Sequence, residues 1–154
     1  MENKLNISAL KKAAEAFYNV LTFANKVEAK SRDKCEFYEF ESARASLIQH
    51  FEICYELCWK MMKRFIEMDI GEEADILTRK DLFRVSAQKR LIADFHNWLE
   101  FHSARNITSH IYGEDAANDV YQAAKKFADD LQEFVETFRK QYGRLCFCCE
   151  QAGT

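Results

Sequence analysis

The sequence contains no proline and only four glycines, Gly71, Gly113, Gly143 and Gly153, in 154 residues. These two residue types are the strongest local breaks in regular structure, so their scarcity favours long uninterrupted helices. The first three glycines mark expected breaks, and the fourth lies in the tail. A strong charge imbalance is also missing. The formal net charge is −3, which excludes a global basic footprint and confines any nucleic-acid contact to a local patch. No apolar run approaches the length needed to span a bilayer. The N-terminal MENKLNISALKK is polar and periodic, without the continuous apolar segment of a signal peptide. The expectation is a cytoplasmic protein that does not enter a membrane. Glycine-rich phosphate loops are absent, and no cluster of carboxylates or histidines suggests a metal. Neither a cofactor nor a metal is expected.

Cysteine is present but not in a stapling pattern. Cys54 and Cys58 lie four apart inside an apolar helical pattern and read as small buried hydrophobes. Cys35 stands alone beside a charged turn. Cys146, Cys148 and Cys149 in the tail CFCCEQAGT lack the second paired cluster of a zinc site. Without a secretory signal, structural disulfides are not expected.

What the sequence does have is helical periodicity. Hydrophobic residues make up 48% and charged residues 31%, the balance of a globular chain that can bury one core. Leu10, Ala14, Phe17, Leu21 and Ala24 step by four and three, one helical stripe over about 6–30. Leu47, Phe51, Cys54, Cys58, Met61 and Phe65 repeat this over about 35–69. Ile48, Tyr55, Trp59, Met62 and Ile66 form a second stripe beside them, so this helix is expected to be buried on more than one side. Thr78 and Asp81 have capping-box spacing and open a third helix over about 79–93. Asp94 is the expected N-cap of a fourth over about 95–112. Val120, Ala124, Phe127, Leu131, Phe134 and Phe138 stripe a fifth over about 115–142. Heptad-like steps of this kind suit left-handed bundle packing. The predicted fold is an all-α, antiparallel up-and-down bundle of about five helices over residues 1–143, followed by a disordered tail over 144–154.

The segment ARNITSHIYGED, residues 104–115, does not fit an ordinary surface helix. Asn, Thr, Ser and His form helices less well than Lys, Glu or Gln, yet they gather here with Arg105 and Tyr112. On a helical wheel of about 100° per residue, Phe101, Ala104, Ile107 and Ile111 form an apolar face, with Thr108 as its polar member. Trp98, His102, Arg105, Asn106, Ser109, His110 and Tyr112 fall on the opposite arc. Arg105 and His110 are about 140° apart, too far for direct contact on one ideal helix. They would converge on a substrate, on a groove at the helix end, or on the same residues of a second chain. The alternative is a solvated helix end, where Arg and His complement the macrodipole. Chemically, an arginine fork suits phosphate and a histidine moves protons near neutral pH. The pair can support metal-free RNA cleavage, with the 2′-hydroxyl attacking the adjacent phosphate. Asn106 would orient ribose, phosphate or His110, and His102 and Ser109 are candidate supporting residues. Lys60, Lys63 and Arg64 on the second helix offer local positive charge.

The run RNITSHIYGEDAANDVY resembles the signature of HEPN-domain proteins, in particular the HepT branch, formerly described as nucleotidyltransferase substrate-binding proteins. The family pattern of Arg, four residues, His, one residue and Tyr, often with Asn after the Arg, is met by Arg105, Asn106, His110 and Tyr112. LIQHFEICYELCWKMMKRFIE (47–67), RKDLFRVSAQKRLI and WLEFHSARN fit the family order, and the likeness covers most of residues 8–142. It implies a helical bundle, a homodimer with a composite groove, and a toxin that cleaves RNA through Arg105 and His110. It also implies a minimal nucleotidyltransferase antitoxin that transfers AMP from ATP to Tyr112. A non-catalytic substrate-binding subunit of a two-component nucleotidyltransferase is the other function compatible with the pattern.

Overall fold

Five helices carry the chain in the computed structural model, which describes residues 7–30, 37–70, 76–110 and 112–150, with backbone alone for 70 and 142–150. They are α1 (Ile7–Ala29), α2 (Phe37–Ile70), α3 (Arg79–Gln88), α4 (Phe95–Thr108) and α5 (Glu114–Glu150). Among the described residues there is no strand, and no helix is long and apolar enough to cross a membrane. Cys35 and Gly71 lie outside the described residues, as do 151–154 and the side chains of Cys146, Cys148 and Cys149.

The predicted stripes are the buried stripes except at Leu21, Trp59 and Phe65, which are only partly buried against the core. Leu10, Ala14, Phe17 and Ala24 of α1 are buried, as are all six residues of the α5 stripe from Val120 to Phe138. In α2, Leu47, Phe51, Cys54, Cys58 and Met61 are buried together with Ile48, Tyr55, Met62 and Ile66. This helix is therefore covered on two sides, by α1 and by α5, and it also touches α3 and α4. Cys54 and Cys58 are free, buried thiols. Burial pushes Cys54 up to about 12 and Cys58 well above its ordinary value, so both stay protonated and behave as apolar filler.

The core is centred on aromatic rings. Phe127 of α5 packs edge-on against Phe17 of α1, Phe51 of α2, and Trp98 and Phe101 of α4. At the start of α5, the buried Arg44 of α2 donates to both carboxylate oxygens of Glu114, at 3.0 and 3.1 Å, and to Asn118 Oδ1 at 2.9 Å. The α4–α5 turn is thus pinned to α2 by a forked, charge-assisted contact.

Both predicted N-caps form. Thr78 Oγ1 accepts from the Asp81 backbone N–H, and Asp94 Oδ1 accepts from the backbone N–H groups of His96 and Asn97. The helix ends differ from expectation. α3 stops at Gln88, five residues early, because Arg90 takes the left-handed conformation (φ 59°) and the backbone N–H groups of Arg90 and Leu91 turn back onto Ala87 and Ser86 carbonyls. α4 stops at Thr108, with Ser109 as its C-cap. Gly113, at φ 101°, supplies the expected break before α5. α5 continues through Gly143 to Glu150, so the first seven residues of the expected tail are helical.

Candidate functional site

The early end of α4 changes the expected site. His110 and Tyr112 are not on the helix that carries Arg105. His110 lies in the turn after Ser109, its backbone N–H donating to the Ile107 carbonyl, and its side chain is exposed. Tyr112 is 87% exposed, a phenol presented fully to solvent just before Gly113. The expected placing of Arg105, Asn106, His110 and Tyr112 on one arc of a continuous helix is therefore lost. The reason is that the backbone turns at Ser109, not that the spacing is wrong. Among the described residues no hydrogen bond or ion pair joins Arg105 to His110.

The faces of α4 also differ from the wheel. Trp98, placed on the polar arc, is buried with Phe101 and Ala104, whereas Ile107, placed on the apolar face, is 42% exposed. The helix is rotated so that part of its polar arc faces α2. Arg105 Nη1 donates to Thr108 Oγ1 at 3.0 Å and lies 3.7 Å from Glu52 Oε2, and Arg105 Nε lies 3.4 Å from Glu56 Oε1. The Nε contact is ionic and not a hydrogen bond, since that atom is buried without a partner in hydrogen-bond geometry. Thr108 Oγ1 in turn donates to the Arg105 carbonyl at 2.7 Å. The one polar residue of the supposed apolar face thus clamps the arginine.

His102 faces inward as well. Its Nδ1 is 2.8 Å from Tyr55 Oη, its ring stacks on Tyr55 and meets the edge of Phe83, and its Nε2 is 3.4 Å from Asn106 Nδ2. Burial, aided by the nearby charge of Arg79 and opposed by Glu56, lowers the His102 pKa, which keeps the imidazole neutral at physiological pH. Burial likewise pushes the Tyr55 phenol up to about 12. The structure therefore brings Arg105, Asn106 and His102 of α4 together with Glu52, Tyr55 and Glu56 of α2. It places His110, Ser109 and Tyr112 on the adjoining exposed turn. Glu52, Tyr55, Glu56 and Arg79 were not expected as site residues: Tyr55 was read as part of an apolar stripe, and the other three only within runs that fit the family order. Their signal is the spacing of Glu52 and Glu56, four apart and so on one helical face, inside a helix otherwise apolar at these positions.

Lys60, Lys63 and Arg64 line a separate cleft of about 500 Å³ with Leu10, Leu57, Trp59, Met61 and Glu67. Lys63 is 3.7 Å from Glu67, so part of this positive charge is compensated within the helix. Among the described residues no group of three His, Cys, Asp or Glu side chains is arranged to hold a metal ion.

Residues 5–140 match the family described as nucleotidyltransferase substrate binding protein like. The chain belongs to this family. It is 36% identical over 99 residues, 63% of this chain and 68% of the relative, to a Haemophilus influenzae protein named "Probable ribonuclease HepT". Its fold matches a solved H. influenzae structure described as the fold of a substrate binding domain of a nucleotidyltransferase. That match has a TM-score of 0.74 at 31% identity, covering 87% of this chain and 99% of the other. The family-like motif of Arg105, Asn106, His110 and Tyr112 thus sits in a family member, spread over a helix end and the turn that follows.

Proposed function

We propose that this chain is a HepT-like toxin: a metal-independent endoribonuclease that works as a homodimer and is neutralised by a minimal nucleotidyltransferase antitoxin. The supporting observation is the position of the motif. Arg105 and Asn106 sit at the end of α4, and His110 and Tyr112 follow on an exposed turn open to a polymer. The 2′-oxygen of a ribose attacks the adjacent phosphorus, the bond from phosphorus to the 5′-oxygen breaks, and the products are a 2′,3′-cyclic phosphate and a 5′-hydroxyl. One proton leaves the 2′-hydroxyl and one joins the departing oxygen. His110 is the residue for these transfers. A groove between two copies supplies two such histidines, one to accept and one to donate. Arg105 meets the phosphoryl oxygens. Its Nη1 and Nε already face Glu52, Thr108 and Glu56, so a phosphate competes with these carboxylates for the guanidinium. AMP on Tyr112 adds a phosphate beside this site and shuts out RNA.

His110→Ala is expected to lose RNA cleavage and growth arrest while remaining dimeric, and EDTA is expected to leave cleavage by the parent unchanged. Equal cleavage by the variant and the parent would sink the assignment. One observation favours the second reading, a non-catalytic substrate-binding subunit: Arg105 is already paired with two carboxylates in a chain of net charge −3. Expression without the nucleotidyltransferase separates the two, because only a toxin arrests growth when alone.

A further inference from the structure

Arg79 lies outside the motif, in the first turn of α3, yet it touches both arms that hold the motif in place. Its guanidinium carbon is 3.3 Å from the centroid of the Trp59 ring. Trp59 Nε1 donates to Glu56 Oε2 at 2.9 Å, and the other Glu56 oxygen faces Arg105 Nε at 3.4 Å. On the second arm, Arg79 Nη1 donates to Tyr55 Oη over a long 3.5 Å, Tyr55 Oη meets His102 Nδ1 at 2.8 Å, and His102 Nε2 meets Asn106 Nδ2 at 3.4 Å. Tyr55 and Glu56 are neighbours on α2, and Arg105 and Asn106 are neighbours on α4. The two arms therefore run side by side from one guanidinium to two adjacent residues of the motif.

The geometry points to Arg79 as a positioning residue for RNA cleavage, setting Arg105 through Trp59 and Glu56 and setting Asn106 through Tyr55 and His102. This rests on the ribonuclease reading above. The chemistry of the second arm is self-consistent. Whichever tautomer the neutral imidazole takes, His102 Nε2 meets the Asn106 amide and His102 Nδ1 shares a hydrogen with Tyr55 Oη. That oxygen accepts from Arg79 as well. Burial keeps the Tyr55 phenol protonated, and burial with the nearby Arg79 charge holds His102 neutral, so neither group of this arm carries a charge. The point where the two arms meet needs a planar cation that stacks on the Trp59 indole while one edge donates a hydrogen bond to Tyr55. Arginine meets both demands at once, and a lysine ammonium does not. Holding a reactive group to within a fraction of an ångström depends on such supporting contacts.

The test uses Arg79→Lys, which keeps the charge but not the fork, and Tyr55→Phe, which cuts one arm. In steady-state cleavage of an RNA oligonucleotide, Arg79→Lys is expected to lower kcat by about tenfold with KM within about twofold of the parent, the pattern of a group acting in the transition state alone. Tyr55→Phe is expected to lower kcat by a smaller factor, about threefold. In nitrogen-15 spectra of Arg79→Lys, the Trp59 indole N–H, the Arg105 Nε–H and the Asn106 side-chain amide are all expected to shift. Parental kcat in Arg79→Lys overturns the proposal. So does a raised KM at parental kcat, which would make Arg79 a direct RNA contact. If the parent chain cleaves no RNA, the ribonuclease reading fails on its own. The spectra then still decide: unshifted Arg105 and Asn106 signals overturn the coupling, and shifted ones support it.

Discussion

Phe127 joins the site helix to the rest of the bundle, so it is the place to measure what that attachment is worth. The ring is fully buried. It meets Phe17, Phe51, Trp98 and Phe101 at centroid separations of 5.8, 5.2, 5.7 and 5.1 Å, all near perpendicular. Phe127→Ala removes the ring and leaves a cavity, a change that costs about 3–5 kcal/mol. Edge-to-face pairs add to simple burial, and four of them put the expected loss in the upper half, about 4–5 kcal/mol. For a chain of 154 residues, the unfolding entropy near the midpoint is roughly 0.32 kcal/mol/K. The melting temperature should therefore fall by about 12–16 °C. Phe127→Leu keeps most of the volume but not the ring geometry, and should cost about 1–2 kcal/mol. Urea unfolding followed by far-ultraviolet circular dichroism gives both numbers, at one fixed protein concentration because any self-association contributes to apparent stability. A loss for Phe127→Ala no larger than that for Phe127→Leu would refute the view that this ring is the junction. Trp98 and Phe101 lie seven and four residues before Arg105 on α4, so the same perturbation loosens the helix that presents the motif.

Two further outcomes are expected. His102 has a lowered pKa in the fold, so the unfolded chain binds its proton more readily. The stability it contributes is fully present above its unfolded pKa near 6.5 and is lost as the pH falls through the lower folded value. Unfolding free energies measured from pH 7.5 down to 5 should decline more steeply for the parent than for His102→Gln, and parallel profiles would remove His102 as a source. Under the proposed function, Tyr112→Phe should stay toxic in the presence of the antitoxin because the hydroxyl that accepts AMP is missing. Intact-mass and peptide mapping that place AMP elsewhere on the parent, with Tyr112 unmodified, would rule this out.

The bundle was legible because burial follows the helical period. The α5 stripe from Val120 to Phe138 runs step by step along one face, and nothing in the sequence competes with it. Termination was less legible where no special residue marks it. Gly113 announces its own break, but α3 ends on a left-handed Arg90 and α4 ends at Thr108, with neither glycine nor proline at either place. The error at Thr108 propagated, since a wheel drawn to residue 112 assigned His110 and Tyr112 to a helix face that does not exist. The inward turn of Arg105 and His102 was hidden for a different reason. A polar residue on an amphipathic helix is taken to face water unless its partner is in view. Here the partners Glu52, Tyr55 and Glu56 lie about fifty positions upstream, on a helix whose own pattern reads as core.

Those same partners bear on how the candidate site can meet RNA. A guanidinium bracketed by two carboxylates has a local charge of about minus one, so a phosphodiester gains little from Arg105 alone. It must displace one acid, use the remaining guanidinium edge, or arrive where other cations add to the field. A groove between two copies, the arrangement in the proposed function, brings two Arg105 side chains to one substrate together with their four carboxylates, so binding there rests on directed hydrogen bonds and not on net charge. It also brings together two copies of His110, which the turn at Ser109 holds in solvent and out of hydrogen-bonding contact with its own Arg105. A self-contained pair on one chain would need neither the exposed turn nor the paired arginine. Under the proposed function, this geometry, with the arginine held by Glu52 and Glu56 and the histidine extended outward, would be half of a site that a second copy completes.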